Sequence, residues 1–544
     1  MAGIPRTSKG CNTCRKRKKG CDLKRPSCGQ CLKRKVPCGG YEREVKFINT
    51  SSETHQQAQE QQSSQKPKAA AAKLQGREAL YQITTCHSFK CSQANSNVSC
   101  QKSAVLDACL SFFFTNFTSQ AAKFKGILPN CEESSFLDWI SIVPQLNTNH
   151  PILRSALLAL GMARTGRSVG DSRLVSESSR FYNSALQSFR KVVHQTKGGS
   201  KNETIASMMF LSLYEVLEGS SMRGFGWASH IEAASQFILS QGCQGEWSDL
   251  WRRLFLGLRQ FAIIRAIGKR KQTFLATPEW AYVPWMHAQK PHQHRLLDLM
   301  SMIPSRLEDL DTIERQTTIG ETEIQRLIDV CNRTRELVNE LHLWHRMFQA
   351  DNGHRLHWEE PSTLIIHSIP ENSSPEIQRL SSTCFKFRNV DIGQSELLYW
   401  TSVMVAHNNL WLGCNRILAR TDFKLVNQQD RPGFLLLRKG GIDEPCGETL
   451  TYHLSFPSNP GEIMTFARNI GRSLEYFIQP DLIPLTATGI AFPCAMASGF
   501  FKHFNFPECA WFKTIFEHVR QLSGIDLQEF LAAMVKEGAS QAVK

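Results

Sequence analysis

From about residue 104 onward, apolar residues recur along this 544-residue chain at helical spacing. Ile152 and Leu153, then Leu157, Leu158 and Leu160, follow Pro151, while Phe181, Tyr182, Ala185, Leu186 and Phe189 repeat at i, i+4 and i+8. Met208 to Val216 is apolar at nearly every position and reads as a buried helix. Ile231, Ala234, Phe237 and Ile238 after Trp227 read as another. Further helices are expected near 249–268, 322–349, 396–419, 462–478 and 509–534. Alternating strand patterns are sparse, so the expected fold of this region is all-α, with ten or more helices. Residues 353–394 hold Pro361, Pro370 and Pro375 and read as a long irregular excursion. The longest apolar stretch, Leu254 to Ile267, is interrupted by Arg259 and Arg265, which argues against a membrane span.

The first hundred residues follow other rules. Residues 51–73, SSETHQQAQEQQSSQKPKAAAAK, have almost no large apolar side chain and read as a flexible Gln/Ser/Ala-rich linker. Val45, Phe47, Ile48, Leu74 and Leu80 keep no a/d period, so no coiled coil is expected between Glu42 and Leu80. Charge separates the N-terminus further. The chain carries a net +15, and residues 1–49 hold 14 Lys and Arg against 3 Asp and Glu. That arm alone is +11, a density that points to a polyanion, either nucleic acid or a membrane surface. MAGIPRTSKGC contains no apolar segment of the secretory kind, so a reducing context is expected for the 18 cysteines. The expected division is 1–49 for the basic module, 50–103 for the linker and 104–544 for the helical domain.

Six cysteines lie within 28 residues: Cys11, Cys14, Cys21, Cys28, Cys31 and Cys38. Their spacing is one half-motif, Cys-x2-Cys-x6-Cys, written twice. Each Cys-x2-Cys step lets two thiolates converge on one metal, and zinc takes four such ligands tetrahedrally. Six thiolates serve two zinc ions only if two sulfurs bridge both metals, and the repeat suggests the first cysteine of each half, Cys11 and Cys28. A segment this short cannot build an adequate apolar core, so metal binding must supply much of its folding free energy. Arg15, Lys16, Arg17, Lys18 and Lys19 fall between Cys14 and Cys21, room for one or two helical turns before Gly20. The second half carries Leu32, Lys33, Arg34 and Lys35, and Pro26 sits where the halves join. A metal-clamped helix with five cations and no apolar face suits a DNA major groove rather than a lipid surface.

The segment CNTCRKRKKGCDLKRPSCGQCLKRKVPC resembles the fungal zinc binuclear-cluster transcription factors, including the Arg-Pro-x-Cys turn and the Cys-Gly-Gln-Cys step. The resemblance implies two zinc ions per chain, bridged by the first and fourth cysteines, and a helix that reads a CGG-type triplet in double-stranded DNA. By position it makes Lys18 the base-reading lysine and Arg17 its neighbour on guanine or phosphate. Arg15, Lys16, Lys19, Lys24 and Lys33 are then phosphate contacts or solvated charge. More loosely, Ala159-Leu160-Gly161, Tyr182 with Ala185-Leu186, Leu213-Tyr214-Glu215 and Trp227 with His230 and Ala233 resemble the fungal-specific regulatory domain. The family further implies a nuclear regulator of RNA polymerase II transcription that engages the transcription machinery, and by habit a role in a biosynthetic gene cluster. Dimerisation, if it occurs, would proceed without an evident coiled coil.

Other motifs carry less. Cys86, Cys91, Cys100 and Cys109 with His87 lack a Cys-x2-Cys step and read as free thiols. Gly166-Arg167-Ser168-Val169-Gly170 matches G-x-S-x-G, but the preceding helical pattern is the wrong context for a nucleophile elbow, and a loop is expected. Glu215 and His230 are expected to satisfy buried hydrogen bonds at a helix seam. The pairs His342 and His345, and His354 and His357, read as surface or seam residues. No enzyme is expected. The alternatives are an enzyme or scaffold tethered to DNA by its arm, and an RNA-binding protein, which residues 11–38 disfavour because they contain no stacking aromatic.

Overall fold

A computed structural model describes residues 11–16, 20–23, 27–36 and 38, then 107–111 and most of 138–523. The chain divides into two units, residues 1–78 and 79–544. In the first, α1 (Asn12–Lys16) and α2 (Gly29–Lys33) each begin one residue after a cysteine. The second ends by closure rather than by charge: Lys35 N–H donates to the Leu32 carbonyl at 3.0 Å and Val36 N–H to that of Cys31 at 3.1 Å. Lys35 adopts φ 53° to make this turn.

The second unit is built almost wholly of helices. Its first group comprises α3 (Pro151–Val169), α4 (Ser172–Val193), α5 (Lys201–Glu218), α6 (Phe225–Gln241) and α7 (Asp249–Lys269). Pro151 opens α3, where its missing N–H costs no hydrogen bond. Helix α5 is buried from Glu203 to Leu217 and forms the centre of this group, which explains why its sequence is apolar around the whole circumference. After the short α8 (Pro278–Tyr282) come α9 (His292–Glu314) and α10 (Glu321–Asp351). The last group adds α11 (Pro375–Ser382), α12 (Val390–Leu418), α13 (Pro460–Phe477), α14 (Ile483–His503) and α15 (Glu508–Ser523). Helix α12 packs against α9, α10, α13 and α14. One large core runs through this unit from Trp139 to Val519. A satellite of Leu310, Ile313, Leu327, Ile328, Leu410 and Ile417 closes the far ends of α9, α10 and α12.

Each helix expected from periodicity is present, with the described part of the last ending at Ser523. Two more long helices, α9 and α14, have no counterpart in the periodicity reading. Both carry a proline inside, Pro304 and Pro493. An interior proline removes one backbone hydrogen bond and normally ends a helix. Here burial offsets the loss, since Ile303, Leu307, Phe492 and Cys494 beside the prolines are in the core. The stretch 353–394 is more ordered than its prolines suggest. It contains β1 (His357–Pro361), α11 and β2 (Thr383–Phe387), with the two strands antiparallel and His357 opposite Phe387. Pro361 terminates β1 at its edge, where no ladder N–H is needed. A three-stranded antiparallel sheet, β3 (Phe423–Asn427), β4 (Phe434–Lys439) and β5 (Thr451–Ser455), is the other departure from helix.

The G-x-S-x-G stretch is helix, not loop. Gly166 to Val169 form the last turn of α3, and Gly170 caps it at φ 74°, its N–H donating to the Gly166 carbonyl. The loop expectation fails because the helical pattern that precedes the motif continues through Gly166 to Val169, and only Gly170 is the left-handed stop. Gly166 serves packing: a Cβ there would lie 2.8 Å from the Asp171 carbonyl oxygen and 2.9 Å from Val175 Cγ2. Ser168 therefore lies on a helix, without the strand-to-helix elbow that exposes a nucleophile.

Candidate zinc centre and nucleic-acid interface

The cysteine repeat of 17 residues folds as a structural repeat. Cys11 and Cys28 are fully buried, Cys14 and Cys31 nearly so, and Cys21 and Cys38 lie partly open at the rim. In both halves the N–H of the second cysteine donates to the sulfur of the first, Cys14 to Cys11 at 3.4 Å and Cys31 to Cys28 at 3.3 Å. Cys11 N–H donates in turn to Cys21 Sγ at 3.5 Å. Such N–H donors stabilise sulfur in its anionic, metal-ligating form.

The sulfurs fall into two sets of four, Cys11, Cys14, Cys21 and Cys28, and Cys11, Cys28, Cys31 and Cys38. All sulfurs within a set are within 4.8 Å of one another, and Cys11 and Cys28 belong to both. Cys11 and Cys28 are 3.6 Å apart, Cys14 and Cys28 3.6 Å, and Cys11 and Cys31 3.9 Å. Four thiolates at the usual zinc–sulfur distance stand about 3.8 Å from each other at the corners of a tetrahedron. The donor set therefore fits two four-coordinate zinc ions that share two sulfurs. Burial, then contact with the Cys11 sulfur, pushes the Cys14 thiol well above its ordinary range. Bare thiols so crowded would stay protonated; divalent cations lower that cost and release the protons. Among the described residues of the module, the buried cluster consists of cysteines alone.

One further residue positions the two halves. The Asp22 carboxylate accepts the Gly29 N–H at 2.9 and 3.0 Å, tying the residue after Cys21 to the residue after Cys28. A Cβ at Gly29 would sit 2.4 Å from Asp22 Oδ2, so any larger residue there would shift this carboxylate. The signal for this contact, Asp and Gly each directly after a cysteine, carries no spacing rule that marks it in advance. Lys33, Arg34 and Lys35 are exposed around the end of α2.

Arg17, Lys18 and Lys19 lie outside the described residues, as do Lys24 and Pro26, and only the backbone of Arg15 and Lys16 is described, as the end of α1. Helix α1 thus begins before Cys14 and not after it. Among the thiols of the other cysteine group, Cys109 is buried, and Cys86, Cys91 and Cys100 lie outside the described residues, as does the whole linker.

In the helical unit the polar candidates resolve into seam contacts. His230 Nε2 meets the Tyr182 hydroxyl at 3.1 Å, and burial pushes this imidazole down to about 4. Burial, then Glu215, raises the Tyr182 phenol. Tyr182 stacks on Tyr214, whose hydroxyl lies 3.0 Å from Ser178 Oγ. His345 and His357 flank the buried Glu396 at 2.6 and 3.2 Å, joining α10, β1 and α12. His342 pairs with the Tyr399 hydroxyl at 2.8 Å, and His354 is exposed. These groups link helices, and a cavity between Trp139, Ser212, Val216, Trp227 and Phe261 is mainly apolar and admits little more than one water. No described helix is long and apolar enough to cross a membrane.

With that geometry established, the comparisons with known proteins agree at both ends of the argument. Residues 9–46 match the fungal Zn(2)-Cys(6) binuclear cluster domain, a two-zinc module, and residues 111–275 match the fungal specific transcription factor domain. The chain thus carries the two domains of the fungal zinc-cluster transcription factors. Over 45 residues it is 47% identical to Arginine metabolism regulation protein II of Saccharomyces cerevisiae, covering 8% of this chain and 5% of that one. Over 225 residues it is 22% identical to an uncharacterized protein of Emericella nidulans, covering 41% of this chain and 44% of that one. The matched stretches are therefore less than half the length of either relative. No solved structure matches the chain significantly.

Proposed function

We propose that this protein is a sequence-specific, DNA-binding regulator of RNA polymerase II transcription, acting in the nucleus. The observation that carries the reading is the pair of four-sulfur sets sharing Cys11 and Cys28, in a module whose flanking residues hold the chain's excess positive charge. Zinc, when bound, supplies the folding free energy the module lacks and fixes the backbone of both halves. Cys11, Cys14, Cys21, Cys28, Cys31 and Cys38 hold it, with Cys11 and Cys28 as bridges. Six thiolates and two divalent ions sum to −2, so the arm stays near +9, enough to draw it to phosphate and to make binding salt-dependent.

Lys18, assisted by Arg17, reads guanine in a CGG-type triplet through the major groove, while Arg15, Lys16 and Lys19 grip the backbone. The organisation is a DNA-binding module in 1–49, a linker in 50–103 and a regulatory helical body in 104–544, without a catalytic role. The relative named for arginine metabolism supports a regulator of one pathway, here a biosynthetic gene cluster. Contacts with the transcription machinery, and pairing of two copies without a coiled coil, belong to the helical body in this reading.

Unbiased selection of DNA bound by the full chain tests it. Enrichment of one GC-rich triplet supports a monomer, and two triplets at fixed spacing a dimer. Enrichment of no sequence, or a preference for single-stranded RNA, overturns the assignment.

A further inference from the structure

Both arginines that interrupt the apolar run of α7 are buried, and Arg259 is the more deeply enclosed. Its side chain is fully buried and donates through Nη1 to the His294 carbonyl at 3.1 Å and through Nη2 to Asp298. Lys290 also reaches Asp298, at 2.6 Å, and stands over the Trp285 ring at 5.7 Å. His294 lies against the same indole, ring centroids 4.9 Å apart, and Gln293 donates to Gln260 Oε1 at 3.4 Å. These residues meet where α7, the turn at Val283–Trp285 and the N-terminus of the 23-residue α9 come together.

The hydrogen-bond ledger there is one-sided. Arg259 Nε, Gln260 Nε2 and Trp285 Nε1 are buried donors without a hydrogen-bond partner among the described residues. His294 Nδ1 is unpartnered too, and becomes a fourth donor in its Nδ1–H tautomer. No buried side-chain oxygen of the junction is left over in the same way. Charge is one-sided as well, since Asp298 faces both Arg259 and Lys290. Burial first, then Arg259, Lys290 and Arg252, push His294 far below its ordinary value, as a positive potential must. The start of α9 adds the positive end of its dipole.

We propose that this junction binds a small monoanion of about chloride's size. A water could accept from two of these donors but would then need acceptors for its own two hydrogens. A halide accepts from each donor that reaches it, needs none in return and neutralises the surplus cation.

The test is thermal unfolding of the full chain in sodium chloride against sodium gluconate at constant ionic strength. Chloride at ten times its dissociation constant is expected to raise the midpoint by about 1–2 °C, in a saturating manner. The rise should vanish in Gln260→Glu, which supplies its own acceptor, and shrink in Trp285→Phe, which keeps the ring and removes the donor. Crystals soaked in sodium bromide should show an anomalous peak among Arg259, Trp285 and His294. A midpoint indifferent to chloride, an equal response in both variants, or a water in place of the bromide peak overturns the proposal.

Discussion

His407 presents the sharpest single-residue problem in the helical body. Both of its ring nitrogens are buried on α12 without a hydrogen-bond partner among the described residues. Burial, with His342 and Arg335 adding, pushes this imidazole down to about 4. The fold therefore binds the neutral ring, and the unfolded chain takes up a proton first as pH falls below about 6.5. Its stabilising share is complete above that value and is lost as pH falls toward 4, amounting to about 2 kcal/mol by pH 5. His407→Met should flatten the stability profile between pH 6.5 and 4 in urea titrations; an unchanged slope would show that other groups set it. At the DNA-facing end, Lys18→Ala should cost about 1–3 kcal/mol and relax preference at one guanine. Equal weakening at all sites, measured on a panel of single-base variants, would make Lys18 a phosphate contact instead.

At the scale of elements, helix ends and helix interiors were legible to different degrees. Pro151 and the apolar spacing after it mark α3 from sequence, because both act locally. The end of α3 did not announce itself, because Gly166 and Gly170 look alike in sequence and do different work. Gly170→Ala should cost about 1 kcal/mol, the price of a Cβ at φ 74° with open space around it. Gly166→Ala should cost more, since its Cβ meets the Asp171 backbone and Val175. Paired thermal melts order the two, and the reverse order would refute this account of the cap. Helices α9 and α14 escaped periodicity because Pro304 and Pro493 are breakers by local rules, and only a buried neighbourhood overrides them. Strands β1 and β2 escaped for a related reason: five residues each, they exist by pairing across an intervening helix.

At the scale of the whole molecule, the two units draw on separate sources of stability. The N-terminal cluster is four buried cysteines with two more at its rim, whereas the helical unit has a continuous apolar core. Chelating zinc should therefore unfold residues 8–41 and abolish specific DNA binding, while the helical circular-dichroism signal and its melting midpoint stay in place. Retained binding in chelator would sink the metal argument. The net charge of +15 is likewise a property of one unit, with +4 spread over the 495 residues that follow the arm.

Sequence by itself determined the cysteine framework, its sharing of two sulfurs and the helical character of the body, because ligand count and apolar period are properties of spacing along one chain. Only tertiary structure decided that Asp22 ties the two halves together, that Glu396 sits between His345 and His357, and that Arg259 is buried against Asp298. Those pairings join residues 7 to 51 positions apart. A charge within an apolar run reads alike whether it meets solvent or a partner, and only the packed helices distinguish the two.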